Sequence, residues 1–301
     1  SLPHILMRYF TTPSVKAARK SVAWSLLFIF LLYFTAPALA TLSKIQMLDP
    51  NLATGIIGKA FSEVQSLDWI QNWSNVGMLA ISDSNGDGIL QLNEFFMRAD
   101  IVVLATPEIA GLPYVISGLV AAGGMAAAMS TADGLLLAIS NSLSHDMYYK
   151  IIDPSADTRK RLIVARVLLI AIGAAGAFVA SMKLTSILGA VAWAFDFAMS
   201  GLFFPIVLGI WWKRANRQGA IAGMFFGLVS GTAYLYYVGP KFMAMEPWLG
   251  IDHLRFGIIG ASVSLVAMVV VTLMTEEPDE ATQKMVDDLR VPAGDTIIAQ
   301  K

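Results

Sequence analysis

The chain has 301 residues, 56% hydrophobic and 14% charged, with a net charge of -1 and a mean hydropathy of +0.64. Soluble domains carry about 25% charged residues, so this composition indicates an integral membrane protein, and the near-zero charge supports no nucleic-acid partner. Cysteine is absent, which removes disulfides and thiolate metal sites, and His4, His145 and His253 are too scattered in the sequence for a zinc motif.

The first residue is Ser and no signal peptide precedes the first apolar segment; the chain reads as part of a longer protein. Residues 1–21 set Arg8, Lys16, Arg19 and Lys20 against Ile5, Leu6, Met7, Tyr9 and Phe10. They predict a cytoplasmic interfacial segment, interrupted by Pro13. Residues 22–41 predict the first membrane span, because about 20 residues at about 1.5 Å rise cross a hydrocarbon core of about 30 Å. Pro37 predicts a kink near its far end.

Residues 42–111 form a long polar excursion. Within it, residues 83–94 read Asp-Ser-Asn-Gly-Asp-Gly-Ile-Leu-Gln-Leu-Asn-Glu, which is the spacing of an EF-hand calcium loop. Asp83, Asn85 and Asp87 offer side-chain oxygens, Ile89 a backbone carbonyl and Gln91 a direct or water-mediated contact, and Glu94 closes the site with two oxygens. Gly88 supplies the sharp turn. The flanks, 69–79 and 92–104, predict a helix pair around this loop. The alternative reading is an acidic, glycine-rich turn without metal.

Residues 112–143 predict the second span. Its first half is rich in Ala and Gly, so neighbouring helices can approach its backbone closely. Polar groups sit in its middle at Ser130, Thr131 and Asp133. At about 100° per residue, Ala127, Ser130, Thr131 and Gly134 share one face and Asp133 lies beside it. Polar groups at that depth need partners, an ion or water. One reading is a cation site. The other is that the hydroxyls bond back to carbonyls of their own helix.

Residues 163–182, 187–212, 219–238 and 256–274 predict four further spans, and 275–301 a charged tail that is soluble or without fixed structure. Asp196 is the other intramembrane carboxylate; it reads either as a cation or proton ligand or as a residue reaching water near an external turn. Trp193, Trp211, Trp212, Trp248, Tyr236 and Tyr237 fall near predicted helix ends or in loops, and most of them read as interfacial anchors. Basic residues favour alternate connections: Arg8, Lys16, Arg19 and Lys20, then Lys150, Arg159, Lys160 and Arg161, then Lys213, Arg214 and Arg217. The positive-inside rule places those segments and both ends in the cytoplasm, and the loop 83–94 outside.

Several of these stretches together resemble the sodium:solute symporter family, from Ser1 to about Gly239. The most telling runs from Ala127-Ala-Met-Ser130-Thr131-Ala-Asp133-Gly-Leu to Ser140-Asn-Ser-Leu-Ser-His-Asp146-Met-Tyr148 and resembles the eighth core helix of the family. Trp211-Trp-Lys-Arg214 with Gly219-Ala-Ile-Ala-Gly223 resembles the loop between its tenth and eleventh helices. Leu2 to Phe10 with Ala17 to Ser21 resembles the acetate-permease branch. The outer loop, with 83–94 and 107–111, is similar to a bacterial subgroup close to the acetate permeases.

The resemblance implies an all-α membrane fold of about six spans, forming the second half of a five-plus-five inverted repeat. It also implies sodium as coupling ion, held by the Ala127 carbonyl and the Ser130 and Thr131 hydroxyls. Asp133 and Asp196 depart from the family pattern, which has small or neutral residues there. The first repeat, with most substrate contacts, falls outside this chain and is its implied partner. The expected function is sodium-coupled symport of a small organic anion, a monocarboxylate such as acetate, in the bacterial inner membrane. The alternative from another class is a symporter-like sensor module of a signalling protein. Nothing in the sequence forms a catalytic constellation.

Overall fold

The computed structural model of the chain describes Ile5 and residues 12–290. The architecture is helical. Among the described residues, six helical stretches are long and apolar enough to cross a membrane: Val15–Leu48, Tyr114–Ile152, Thr158–Ser181, Ile187–Trp211, Arg217–Val238 and Gly257–Met274. Residues 1–4 and 6–11 of the expected interfacial segment 1–21 lie outside the described residues, as does 291–301 of the tail. From Val15 onward that segment is already part of α1 (Val15–Leu48), 34 residues that continue through Pro37. At about 1.5 Å per residue α1 reaches roughly 50 Å, well beyond a hydrocarbon core of about 30 Å.

Two compact units divide the chain, one of residues 20–133 and one that contains residues 134–290. In the first, the excursion after α1 has a hydrophobic core of its own. Short helices α2 (Phe61–Gln65) and α3 (Asp68–Asn75) pack Val64 and Ile70 against Ile56, Leu79 and Leu90, all at most 3% exposed. The segment is anchored to the end of α1. Ile56 N donates to Met47 O at 2.8 Å, Thr54 Oγ1 donates to Gln46 O at 2.9 Å, and the Ser43 and Thr106 hydroxyls bond at 2.9 Å. Thr106 belongs to α4 (Val102–Ile109), whose Ala105 and Ile109 pack with Met47.

The turn 83–94 is closed by strands rather than by the expected helix pair. β1 (Leu79–Ile81) pairs antiparallel with β2 (Phe95–Met97), Leu79 opposite Met97 and Ile81 opposite Phe95. Alternation decides this: Leu79 and Ile81 face the core while Ala80 between them is exposed. Glu94 sits at the base of the turn, 4% exposed. Its Oε1 accepts from Ser84 N at 2.8 Å, and its Oε2 from Gln91 N at 3.1 Å. A buried carboxylate is tolerated here because backbone amides surround it.

In the second unit, α6 (Thr158–Ser181), α7 (Ile187–Ala198), α8 (Phe204–Trp211), α9 (Arg217–Val238) and α10 (Gly257–Met274) follow in order. Side-chain oxygens cap the starts of three of them. Asp157 accepts from Lys160 N at 3.0 Å, Ser186 from Gly189 N at 3.1 Å and Asn216 from Gly219 N at 2.9 Å. Between α7 and α8 the span continues through a π-helical turn, Met199–Phe203.

That turn is packed into the seam of α9 and α10. Gly219, Gly223, Gly227 and Gly231 recur every four residues along α9 and are all buried. Gly227 lies so close to the turn that a Cβ there would stand 2.0 Å from Ser200 O, and one on Gly260 of α10 would stand 2.1 Å from Ser200 Oγ. Ser200 is fully buried and donates to Asp196 O at 2.7 Å. This is small-residue packing of membrane helices, in which closeness of backbones replaces a hydrophobic driving force.

Trp193 is 9% exposed and packs with Tyr234, Leu235, Val238 and Phe256. Its indole donates to His253 Nδ1 at 3.3 Å, so it is a packing residue and not the interfacial anchor expected. Part of the tail has fixed structure. Residues 280–290 form α11 (Glu280–Arg290), held to the end of α8. Arg290 Nε donates to Ile210 O at 2.8 Å, and Lys213 pairs with Asp287 at 2.8 Å. Arg214 pairs with Glu277.

Two outcomes test this packing. Gly227→Ala forces a methyl onto a backbone oxygen and is expected to cost about 1–3 kcal/mol or more, whereas Gly209→Ala, with nothing within 4 Å, leaves the melting temperature of the purified protein unchanged. Glu94→Ala strands buried amides and is expected to cost the excursion about 1–3 kcal/mol. Limited proteolysis between residues 61 and 97 should accelerate in that variant and not in Glu63→Ala, whose side chain is 62% exposed.

Candidate cation site

Helix α5 (Tyr114–Asn141) runs 28 residues and contains Ala127, Ser130, Thr131 and Asp133. Ala, Leu and Met favour the helix, and its Gly and Ala faces leave the backbone open to close approach. Thr131 Oγ1 donates to Ala127 O at 3.3 Å. The structure thus brings together two of the three expected ligand oxygens, one helical turn apart. This contact is also the back-bond that a membrane-helix threonine makes in the absence of an ion. The hydroxyl keeps its lone pairs in this geometry, whereas the two of the carbonyl are taken by the Thr131 amide and hydroxyl. Ala127, Ser130, Thr131 and Asp133 are all exposed on the helix surface. Three oxygens from one helix cover one side of a hard cation, which takes several more.

Beyond Asn141 the helix widens. Residues 142–152 form a π-helical segment, bonded i to i+5. Sequence periodicity does not reveal this change. Ser140 lies just before it, 2% exposed, and donates to Ala165 O of α6 at 2.9 Å.

Asp196 lies in the other unit and has a different setting. Its carboxylate faces the first backbone amides of α10, those of Phe256 and Gly257. A Cβ on Gly257 would stand 2.7 Å from its Oδ1. An anion at a helix N-terminus meets unpaired N–H groups and the positive end of the dipole. This accounts for one carboxylate oxygen; Oδ2 of Asp196 is buried and has no hydrogen-bond partner among the described residues. The sequence held a clue, since Gly257 is the one residue type that lets a side chain approach so closely.

In the turn 83–94 the acidic side chains fold onto the backbone. Asp83 accepts from Gly86 N at 2.8 Å and Gly88 N at 3.0 Å. Asn85 Oδ1 accepts from Asp87 N at 3.0 Å, and Asp87 Oδ1 from Ile89 N at 2.8 Å. Gln91 Nε2 donates to Asp87 Oδ2 at 2.7 Å. The Ile89 amide, with Asn85 and Gln91, holds the Asp87 carboxyl below the usual carboxylate range. Gly86 and Gly88 have φ of 73° and 71°, where a Cβ is strained. Among the described residues, no three His, Asp or Glu side chains are grouped so as to hold a metal. Any cation here would rely on Asn85, Gln91 and the Ile89 carbonyl as well.

Comparison with known proteins places this helix in a family. Residues 100–227 match the model of the sodium:solute symporter family. An uncharacterized symporter of Cupriavidus necator is 42% identical over 297 residues, covering 96% of this chain and 42% of the relative. A sodium/proline symporter of Haemophilus influenzae is 30% identical over 55% of this chain and 31% of the relative. A monocarboxylic acid transporter of Corynebacterium glutamicum is 24% identical over 78% of this chain and 36% of the relative. The chain therefore spans less than half the length of these relatives. Through residues 100–227, which hold Ala127, Ser130 and Thr131, the chain belongs to the sodium:solute symporter family.

Proposed function

We propose that this chain supplies one side of the sodium site of a symporter that carries a small organic solute, with a monocarboxylate such as acetate the first candidate. One observation carries the reading. Within the segment matched to the family, the Ala127 carbonyl and the Thr131 hydroxyl stand 3.3 Å apart on one helix face, next to Ser130. Sodium is a hard cation and is matched by such neutral oxygens. The remaining ligands and the substrate contacts come from the other repeat of the fold. Two named relatives, a monocarboxylic acid transporter and a sodium/proline symporter, frame the substrate class. A bacterial cytoplasmic membrane with both ends inside fits the distribution of basic residues. Coupling follows if sodium binds one conformation better than the other, since a ligand shifts an equilibrium by its differential affinity.

Ser130→Ala and Thr131→Ala each remove a ligand oxygen and are expected to raise the sodium concentration for half-maximal uptake about tenfold. Uptake of acetate, pyruvate and proline would be measured in proteoliposomes, with this chain alone and with it joined to the upstream sequence its gene encodes. Unchanged sodium dependence in both variants would remove the site assignment. Proline uptake without acetate uptake would correct the substrate.

For the turn 83–94 we propose weak calcium binding, supported by the loop spacing and by the lone pairs left on Asp83, Asp87 and Glu94 after their amide bonds. External modules bind calcium at about 10⁻⁴–10⁻³ M. Calcium in that range is expected to raise the unfolding temperature read from Trp69 and Trp73, which pack on this core, in the parent and not in Asp83→Asn. An identical rise with magnesium, or none with calcium, would leave the turn as a purely structural element.

A further inference from the structure

We propose that the end of the α5 span carries a site for the phosphate of an anionic phospholipid headgroup. A cavity of about 270 Å³ is lined by Asn141, Ser144, His145, Thr158, Arg161 and Leu162, with Ala165 behind them. Both walls belong to one compact unit. Its polar lining offers hydrogen-bond donors in an amide, two hydroxyls and a guanidinium, with an imidazole beside them. No carboxylate lines it.

The nearby carboxylates are engaged elsewhere. Asp146 accepts from Lys150 and from His145 Nδ1, both at 3.1 Å. Asp153 accepts from Lys160 at 2.6 Å and Ser155 at 2.8 Å, and Asp157 caps α6 through Lys160 N.

Arg161 is the group these pairings leave over. Its guanidinium stacks on the Tyr149 ring, 4.0 Å from the centroid, which fixes its plane. Its Nε is buried and has no hydrogen-bond partner, and it joins no ion pair among the described residues. An immobilised guanidinium with a buried, unused N–H, beside two hydroxyls, is a phosphate-binding arrangement. It lies where two apolar spans end in a basic connection carrying Arg159, Lys160 and Arg161. Basic pockets between spans at that level meet lipid headgroups.

The test uses the whole purified chain in detergent, titrated with phosphatidylglycerol and with phosphatidylcholine, and read by native mass spectrometry. Phosphatidylglycerol is expected to bind at least about tenfold more tightly, and Arg161→Gln to abolish that preference. Arg159→Gln, an exposed neighbour outside the cavity, is expected to keep it. His145→Ala provides a variant that spares the fold, since that side chain is 55% exposed; it should weaken the preference in part. Competition by inorganic phosphate would show that the headgroup phosphate is what binds. Phosphate binding without any lipid preference would assign the cavity to a free anion and overturn the lipid source. Equal losses in Arg159→Gln and Arg161→Gln would reduce the effect to surface charge and overturn the site.

Discussion

Backbone-to-backbone approach at Ser200 is the constraint on which the packing of α7 to α10 depends. In a membrane, lipid is as apolar as any leucine, so helices gain little by hiding apolar side chains from it. What holds them is contact that lipid cannot reproduce. Here a π-helical turn presents the Ser200 carbonyl and hydroxyl to two glycines on different helices. The seam then fixes where α10 starts relative to Asp196. The carboxylate reaches the first amides of α10 because Gly257 has no side chain. The same economy of side chains therefore creates the close seam and admits a charged group at its end.

The excursion before α4 follows a different rule. It lies outside the apolar stretches and folds as a small soluble protein does, around Ile56, Val64, Ile70 and Leu90. Glu94 and Asp87 are satisfied by backbone amides, which tie the turn 83–94 to the strands that close it. The chain thus combines two stabilising regimes, glycine-mediated contact in the spans and apolar burial in the loop.

Much of the fold was legible in the sequence, and for a clear reason. Six apolar stretches announce themselves by length alone, because a hydrocarbon core has a fixed thickness. The hundred-degree step of a helix put Ala127, Ser130 and Thr131 on one face, and the Ala127–Thr131 contact lies on it. Other features were hidden because they depend on partners. The strands beside Asp83 and Glu94 are three residues each, too short for a periodic signal to outweigh a helical motif. Trp193 carries the composition of an anchor, and only its neighbours Tyr234 and Phe256 make it a core residue. The helix at 280–290 has little apolar content to reveal it; Ile210 and Lys213 hold it. The four-residue glycine repeat of α9 was visible, and its meaning needed Ser200 from another helix.

The π-helical stretch after Asn141 has a consequence for how this span is read. A helix face is a matter of phase, and phase is conserved only while the number of residues per turn is constant. Widening from i+4 to i+5 bonding over residues 142–152 sets back the angular clock of everything beyond. His145, Asp146 and Tyr149 thus do not lie where a wheel drawn from Gly134 would put them. That stretch holds two azimuthal frames in series: residues 134–141 keep one, and the basic, aromatic end keeps the other.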